Sequence, residues 1–190
     1  MSHKISESPN IMRKIILIFL SEINPALANE LRNSLHETFH RNIETRHQVT
    51  DLRYAYDSKR KQYISPRVLS RLGNIRKDRD AMILAVSDVD MYSPGYDFVY
   101  GEADISAGIA TLSIYRLVNG EDGIHATPKV LQERVIREAK HEVGHLFGLG
   151  HCNSATCVMR TCTCVEEVDA ANGGFCETCA LKSDNRANSH

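Results

Sequence analysis

Residues 141–151 read HEVGHLFGLGH, which is the pattern H-E-x-x-H-x-x-G-x-x-H. Residues four apart lie one above the other on an α-helix, so the imidazoles of His141 and His145 can bind one metal ion. Gly148 can adopt the left-handed conformation that ends a helix, and the chain then offers a third ligand at His151. The stretch therefore predicts a helix that ends at a three-histidine zinc site.

Three neutral histidines leave one position of a tetrahedral zinc ion for water, which is typical of catalytic rather than structural sites. Glu142 is displaced to the side, where it can reach that water without binding the metal. We predict that Glu142 takes a proton from the water and later passes it to a leaving amine, so the reaction is hydrolysis of an amide. The alternative, surface histidines on a solvated helix face, leaves His151 and Gly148 as coincidences.

The cysteines are clustered: all six lie between Cys152 and Cys179, and the 151 residues before them contain none. In a cytosolic chain, closely spaced cysteines hold a metal more often than they form a disulfide framework. A closed tetrahedral site needs four ligands, and the favoured set is the four thiolates of Cys152, Cys157, Cys176 and Cys179. Two alternatives stay open: Cys162 or Cys164 replaces one ligand, or the thiolates hold an iron–sulfur cluster or form a redox dithiol.

The third histidine and the first cysteine are neighbours in the chain. Successive side chains of an extended segment point to opposite sides, so His151 and Cys152 can serve two metals on opposite flanks. We therefore expect the second, structural zinc to orient His151 and to tie down a C-terminal segment that is poor in large apolar residues.

A helical pattern surrounds the histidines. It begins at Thr127-Pro128, a cap and a first helical residue, and continues to about Gly148. Its apolar residues fill one broad sector of the helix. Glu138 shares the neighbouring sector with the two histidines and Glu142, which predicts a polar cluster at the rim of the core, facing a cleft.

Further out, strand patterns alternate with helical patterns, which indicates an α/β layer. The strands are predicted at 11–19, 82–89, 98–103 and 109–117, and further helices at 26–46 and 65–79. In the last strand, apolar residues alternate with hydroxyl-bearing ones, which predicts one buried side.

The composition excludes several classes of protein. Hydrophobic residues make up 42% of the chain, and 23 Lys+Arg against 24 Asp+Glu give a net charge of -1. The balanced charge argues against a nucleic-acid binder, including a zinc-ribbon protein, and against a protein that binds anionic membranes. The apolar run 15–20 is too short to span a bilayer or to serve as the core of an export signal. We expect a cytoplasmic monomer.

Residues 141–151 resemble the metzincin clan of zinc peptidases, and the spacing C-x4-C-x-M followed by C-x-x-C is similar to that of the archaemetzincin family. The matching residues are Cys152, Cys157, Met159, Cys176 and Cys179. The resemblance implies an α/β (α+β zincin-like) fold in a single compact domain. Its parts would be a twisted mixed sheet, a backing helix, an active-site helix and a cysteine-rich C-terminal segment that binds zinc.

The resemblance also implies particular roles. Met159 would form an apolar base beneath the catalytic metal, and the strand near 98–103 would pair with an extended peptide substrate. Residues 11–182 would form the catalytic domain, with tails at 1–10 and 183–190.

The overall prediction is a zinc metallopeptidase with two zinc ions, one catalytic and one structural, and a peptide or protein substrate. The alternative is a two-zinc protein that binds a peptide or a partner with little or no turnover. The residue that stabilises the oxyanion is not evident from the sequence.

Overall fold

The computed structural model describes residues 14–78, 80–118 and 125–188, with side chains up to residue 183. Within these ranges the strands are β1 (Ile15–Phe19), β2 (Ile43–His47), β3 (Tyr56–Asp57), β4 (Gln62–Ile64), β5 (Met82–Ser87), β6 (Met91–Tyr92), β7 (Gly101–Asp104) and β8 (Ile109–Ser113). The helices are α1 (Pro25–Phe39), α2 (Ser65–Ile75), α3 (Pro128–Leu146), α4 (Val165–Ala170) and α5 (Glu177–Asn188).

A five-stranded mixed sheet forms the centre of the fold, in the order β2-β1-β5-β8-β7. Neighbouring strands are parallel except β7, which runs antiparallel to β8 at one edge of the sheet. A small second sheet has the order β3-β4-β6. The fold is thus the predicted α/β arrangement with a mixed sheet, and β7 leaves one edge of the large sheet open.

Both faces of the central strands are buried. In β1, alternate residues contribute to two separate apolar clusters: Ile15 and Leu17 pack with residues of α1 and α3, and Ile16 and Ile18 pack with residues of α2. Helices therefore cover the sheet on both sides, as is usual where parallel strands are connected by helices.

The predicted one-sided burial of the last strand is wrong. All five residues of β8 are buried. Its hydroxyl-bearing face packs under α2, where Thr111 Oγ1 lies 3.1 Å from Ser65 Oγ. Further along the strand, Ser113 Oγ donates to the carbonyl of Val89 at 2.7 Å. These hydrogen bonds satisfy the hydroxyl groups, so the polar side of the strand can be buried as well.

The helix predicted at 26–46 ends early, at Phe39, and a strand follows it. His40 adopts a left-handed conformation with φ 51°, and its N–H bonds to the carbonyl of His36 at 2.9 Å. The chain then forms β2, which pairs with β1 although Ile43 is its only buried residue. The apolar stripe of α1 is as predicted, but an edge strand with a single buried residue has almost no periodic pattern to detect.

Helix α3 begins as predicted, with Thr127 Oγ1 accepting a hydrogen bond from the N–H of Val130 at 3.3 Å. It ends at Leu146, and Gly148 follows with φ 78°, in the left-handed conformation that the sequence predicts. The helix packs against α1 and the β7–β8 edge of the sheet. This packing directs its polar sector toward the open edge at β7.

The C-terminal region continues through α4 and α5. The predicted domain boundary at residue 182 lies inside α5, and the predicted tail at 1–10 lies outside the described residues. Of the helices in the described ranges, none combines the length and the hydropathy needed to cross a bilayer.

Candidate active site

The structure brings the three predicted histidines together at the C-terminal end of α3, with His141 and His145 in the helix and His151 just beyond it. One ring nitrogen from each of His141, His145 and His151 lies within 4.8 Å of the others. The Nε2 atoms of His141 and His145 are 3.0 Å apart. Zinc binds imidazole nitrogen at about 2.0–2.1 Å, so one ion can reach both of the nitrogens that are 3.0 Å apart.

Backbone carbonyl groups fix the orientation of two of these rings. The Nδ1–H of His141 donates to the carbonyl of Val158 at 2.7 Å, and that of His145 donates to the carbonyl of Leu149 at 2.9 Å. With the proton on Nδ1, each Nε2 presents its lone pair to the metal position. Burial lowers the pKa of His141 to about 4 and also lowers that of His145, so both are neutral at pH 7, as metal ligands must be.

The carboxyl group of Glu142 is buried beside the histidines. The residue is 4% exposed, and its Oε2 has no hydrogen-bond partner among the described residues. Burial raises the pKa of Glu142 well above its usual value, and the neighbouring carboxyls of Glu138 and Glu102 raise it further. A buried oxygen without a partner indicates that a group absent from the protein chain, such as water, completes this site.

Gly101 in β7 lies directly against this carboxyl group. A Cβ atom at position 101 would come within 2.6 Å of Cγ and Cδ of Glu142, a distance at which one of the two must move. The glycine therefore lets the sheet edge approach the active-site helix closely. The sequence alone does not identify Gly101 as a functional residue, because no local pattern near position 101 shows that this strand meets Glu142.

Met159 is completely buried and packs against Gly144, the glycine between the two helical histidines. Its sulfur is 2.5 Å from where a Cβ of Gly144 would lie, so the glycine between the two helical histidines makes room for it. Its carbonyl accepts a hydrogen bond from the N–H of Cys152 at 2.8 Å. The segment 157–159 thus contacts both the histidine site, through the carbonyl of Val158, and the first cysteine.

A second group of ligands consists of four cysteines whose sulfur atoms lie within 4.8 Å of one another: Cys152, Cys157, Cys176 and Cys179. The sulfur atoms of Cys152 and Cys176 are 3.7 Å apart, and the N–H of Cys176 donates to the sulfur of Cys157 at 3.3 Å. A hydrogen bond from the N–H of Cys179 is the main cause that lowers the pKa of Cys176 to about 7. Four sulfurs at this spacing, with N–H groups directed at them, fit a tetrahedral zinc ion.

Cys162 and Cys164, the predicted substitutes for a structural ligand, lie outside this group. Cys162 instead lines the cleft beside the histidines, and burial raises the pKa of its thiol to about 12.

A cleft of about 650 Å³ opens over the histidines. It is bounded by β7 and the residues before it, by the polar sector of α3, and by residues 160–163, which follow Met159. Because β7 is the last strand of the large sheet, its unpaired edge is available to an extended peptide along this cleft. The predicted substrate-binding strand at 98–103 overlaps β7 and borders the cleft.

Known proteins resemble this chain in both sequence and structure. The sequence profile of Peptidase family M54 matches residues 41–185. The archaemetzincin of Pyrococcus horikoshii is 38% identical over 139 residues, covering 72% of this chain and 74% of that protein. The archaemetzincin of Pyrococcus abyssi is 34% identical over 178 residues, covering 90% of this chain and 95% of that protein.

Two solved structures superpose on most of the chain. One is a zinc-dependent peptidase from Methanocorpusculum labreanum, with a TM-score of 0.79 and 29% identity over 89% of this chain and 99% of that one. The other is the archaemetzincin of Methanopyrus kandleri, with a TM-score of 0.80 and 27% identity over 93% of this chain and 96% of that one. The likeness therefore extends well beyond the histidine motif.

Proposed function

The chain belongs to peptidase family M54, the archaemetzincins, and on that premise we propose that it hydrolyses peptide bonds with Glu142 as general base and general acid. As a member of this family it is a zinc metallopeptidase. We assign the catalytic zinc to His141, His145 and His151, and we place the enzyme in the metzincin clan because of the spacing of these ligands. The observation that carries the proposal is the unpartnered oxygen of the buried Glu142 carboxyl beside three converging imidazoles.

In this proposal the side chains have separate tasks. A bound zinc ion supplies Lewis acidity that polarises the scissile carbonyl and makes the attacking water more acidic. Glu142 Oε2 accepts a proton from that water and later passes it to the leaving amine nitrogen. The open edge of β7 holds the substrate in an extended conformation, so that the scissile bond lies above the histidines.

We propose that a second, structural zinc binds Cys152, Cys157, Cys176 and Cys179. We expect metal analysis by mass spectrometry to find two zinc ions per chain. Because His151 is exposed whereas Cys157 and Cys179 are buried, a mild chelator should remove the histidine-bound zinc first. Cleavage should then stop while the far-ultraviolet circular dichroism stays unchanged. One zinc or none in the freshly purified protein would contradict the two-site proposal.

Cleavage of a peptide library tests the function directly. We expect the zinc-loaded protein to cut peptides at defined positions, which mass spectrometry of the products will show, and we expect the chelator-treated protein to cut none. A protein that retains both zinc ions but cleaves no peptide would contradict the peptidase proposal and favour the alternative of a peptide-binding protein.

The contact between Gly101 and Glu142 gives a second test. Gly101→Ala should lower kcat/KM by at least about tenfold, because the new Cβ displaces the Glu142 carboxyl. The matched control is Gly73→Ala in α2, where a Cβ would meet Ile109 Cδ1 at an ordinary 3.7 Å. The control should keep full activity and an equal or higher Tm, since alanine favours a helix over glycine by about 1 kcal/mol. Equal kcat/KM for the two variants would contradict the assigned contact.

We also propose a cytoplasmic location and a monomeric state. All six cysteines are free thiols, and four of them must stay reduced to bind zinc, which favours a reducing compartment. Both groups of metal ligands come from one chain, so neither site needs a partner subunit to be complete.

A further inference from the structure

An acidic group that the proposed reaction does not use faces the same cleft. Glu138 lies one helical turn before Glu142 on α3 and lines the cleft, and only 7% of the residue is exposed. No described residue donates a hydrogen bond to its carboxyl group, whose pKa burial raises to about 7. Burying a carboxyl group without a partner costs free energy. The little of this residue that is exposed faces the cleft, so a ligand there can reach the carboxyl group and pair with it.

The surroundings of Glu138 favour a cationic ligand. Glu138 and the cleft residue Glu102 both lie close enough to Glu142 to raise the pKa of its carboxyl group, and Glu102 Oε2 is buried with no hydrogen-bond partner among the described residues. Arg160 is the single lysine or arginine among the described residues that line the cleft. Its guanidinium group already binds Glu167 at 3.0 Å. Apart from the zinc ion proposed at the histidines, the cleft around Glu138 thus has several carboxyl groups and, among the described residues, no lysine or arginine free to balance them.

The walls of the cleft suit a long side chain with a charged end. Phe98, Tyr100 and Ile105 provide an apolar lining on the side of β7. Lysine and arginine carry aliphatic stems that pack on apolar surface while the charged end reaches a polar partner. Such a side chain can lie along these walls and place its cationic nitrogen at Glu138.

The position of Glu138 on the helix places this contact next to the bond that is cut. Glu138 precedes His141 by three residues, which corresponds to a rise of about 4.5 Å along an α-helix. A substrate residue spans about 3.3 Å in an extended chain. The group that contacts Glu138 therefore belongs to a residue beside the scissile bond and not to a distant part of the peptide.

We propose that Glu138 is a specificity-determining residue that binds a cationic nitrogen of the substrate next to the scissile bond. The substrates are then peptides that carry lysine or arginine there, or that present a free N-terminal ammonium group at the same place. This inference rests on the proposed peptidase function, and it assigns the class of substrate for that same cleft.

Matched peptides test the inference. They differ at one position beside the scissile bond, which holds lysine, norleucine or glutamate, and each is made with a free and with an acetylated N-terminus. Norleucine keeps the stem of lysine but has no charge. For the wild type, the ratio of kcat/KM between the lysine and norleucine peptides should be about tenfold or more. If the N-terminal ammonium is the ligand, the same ratio should appear between the free and acetylated peptides.

Glu138→Gln should bring this ratio close to one. Because the variant is compared with itself on two substrates, a loss of activity common to both peptides cancels. Glu133→Gln on the same helix, outside the cleft lining, should leave the ratio unchanged. A wild-type ratio near one for both pairs of peptides, or a ratio that Glu138→Gln does not change, would overturn the inference.

Binding measurements separate this inference from the proposed function. Fluorescent forms of the same peptides are titrated against the zinc-loaded Glu142→Gln variant, with and without Glu138→Gln, and fluorescence anisotropy gives Kd. The lysine or free-amine peptide should bind about tenfold more tightly only when Glu138 is present. If the wild type cleaves no peptide but this difference in Kd appears, the peptidase proposal fails and the assignment of Glu138 stands. Equal Kd values in both backgrounds would refute the assignment.

Discussion

Glu142→Gln is expected to lower kcat for peptide cleavage by about 10²- to 10⁴-fold, the range usual for the loss of a general base. Glutamine has nearly the same shape as glutamate, so the close contact with Gly101 is kept. It cannot accept the proton of the attacking water, and this is the step that should fail. Because the buried side chain keeps its shape and only its charge state changes, the fold should be retained.

Three measurements separate this loss from general damage. The variant should bind two zinc ions, keep its Tm within a few degrees and bind substrate with a Kd close to that of the wild type. The wild-type Kd is measured by the same anisotropy titration on zinc-free protein, which does not cleave the peptide. Glu133→Gln, on the same helix but outside the cleft, should retain full kcat. If Glu142→Gln cleaves peptides at the wild-type rate, Glu142 is not the base.

Cys179→Ser is expected to have the second large effect, on metal content and stability together. Cys179 is 6% exposed and belongs to the four-sulfur group, so its loss should lower the zinc content from two ions to one. Metal binding by a structural site contributes directly to folding, and we expect Tm to fall by on the order of 10 °C. Differential scanning calorimetry and metal analysis of the same sample measure both effects.

The same variant should also weaken zinc binding at the histidines by about tenfold or more, although Cys179 does not contact them. The connection is the segment between the two sites. The carbonyl of Val158 orients His141, and the carbonyl of Met159 accepts from the N–H of Cys152. Cys164→Ser is the matched control, because Cys164 lies in the same region but outside the four-sulfur group, and it should keep both zinc ions. An unchanged zinc affinity at the histidines of Cys179→Ser would show that the two sites are independent.

Local spacing explains why the convergence of the three histidines was predictable from the sequence. His141, His145 and His151 lie within one helix and the turn after it, so helical geometry and Gly148 alone predict that they converge. The apolar stripe of α1 and the cap of α3 at Thr127 are local in the same sense. Each of these features depends on residues within a few positions of one another.

Features that depend on distant parts of the chain were not predictable. Gly101 contacts Glu142, which lies 41 positions later in the sequence, and no local pattern near the glycine predicts that contact. β2 was predicted as helix because its pairing with β1, and not its own pattern, makes it a strand. The sequence also left open whether Cys162 or Cys164 joins the thiolates, since close spacing along the chain does not determine which sulfurs meet in space.

The open edge of β7 also creates a risk of aggregation, which is unrelated to catalysis. A row of unpaired backbone N–H and carbonyl groups can recruit the strand of another copy as readily as a substrate, and such edges are a common origin of aggregation. β7 has only four residues, and two of them, Glu102 and Asp104, are acidic. A second copy aligned with this strand would bring like charges together, so the short, negatively charged edge disfavours self-association while remaining accessible to a positively charged peptide.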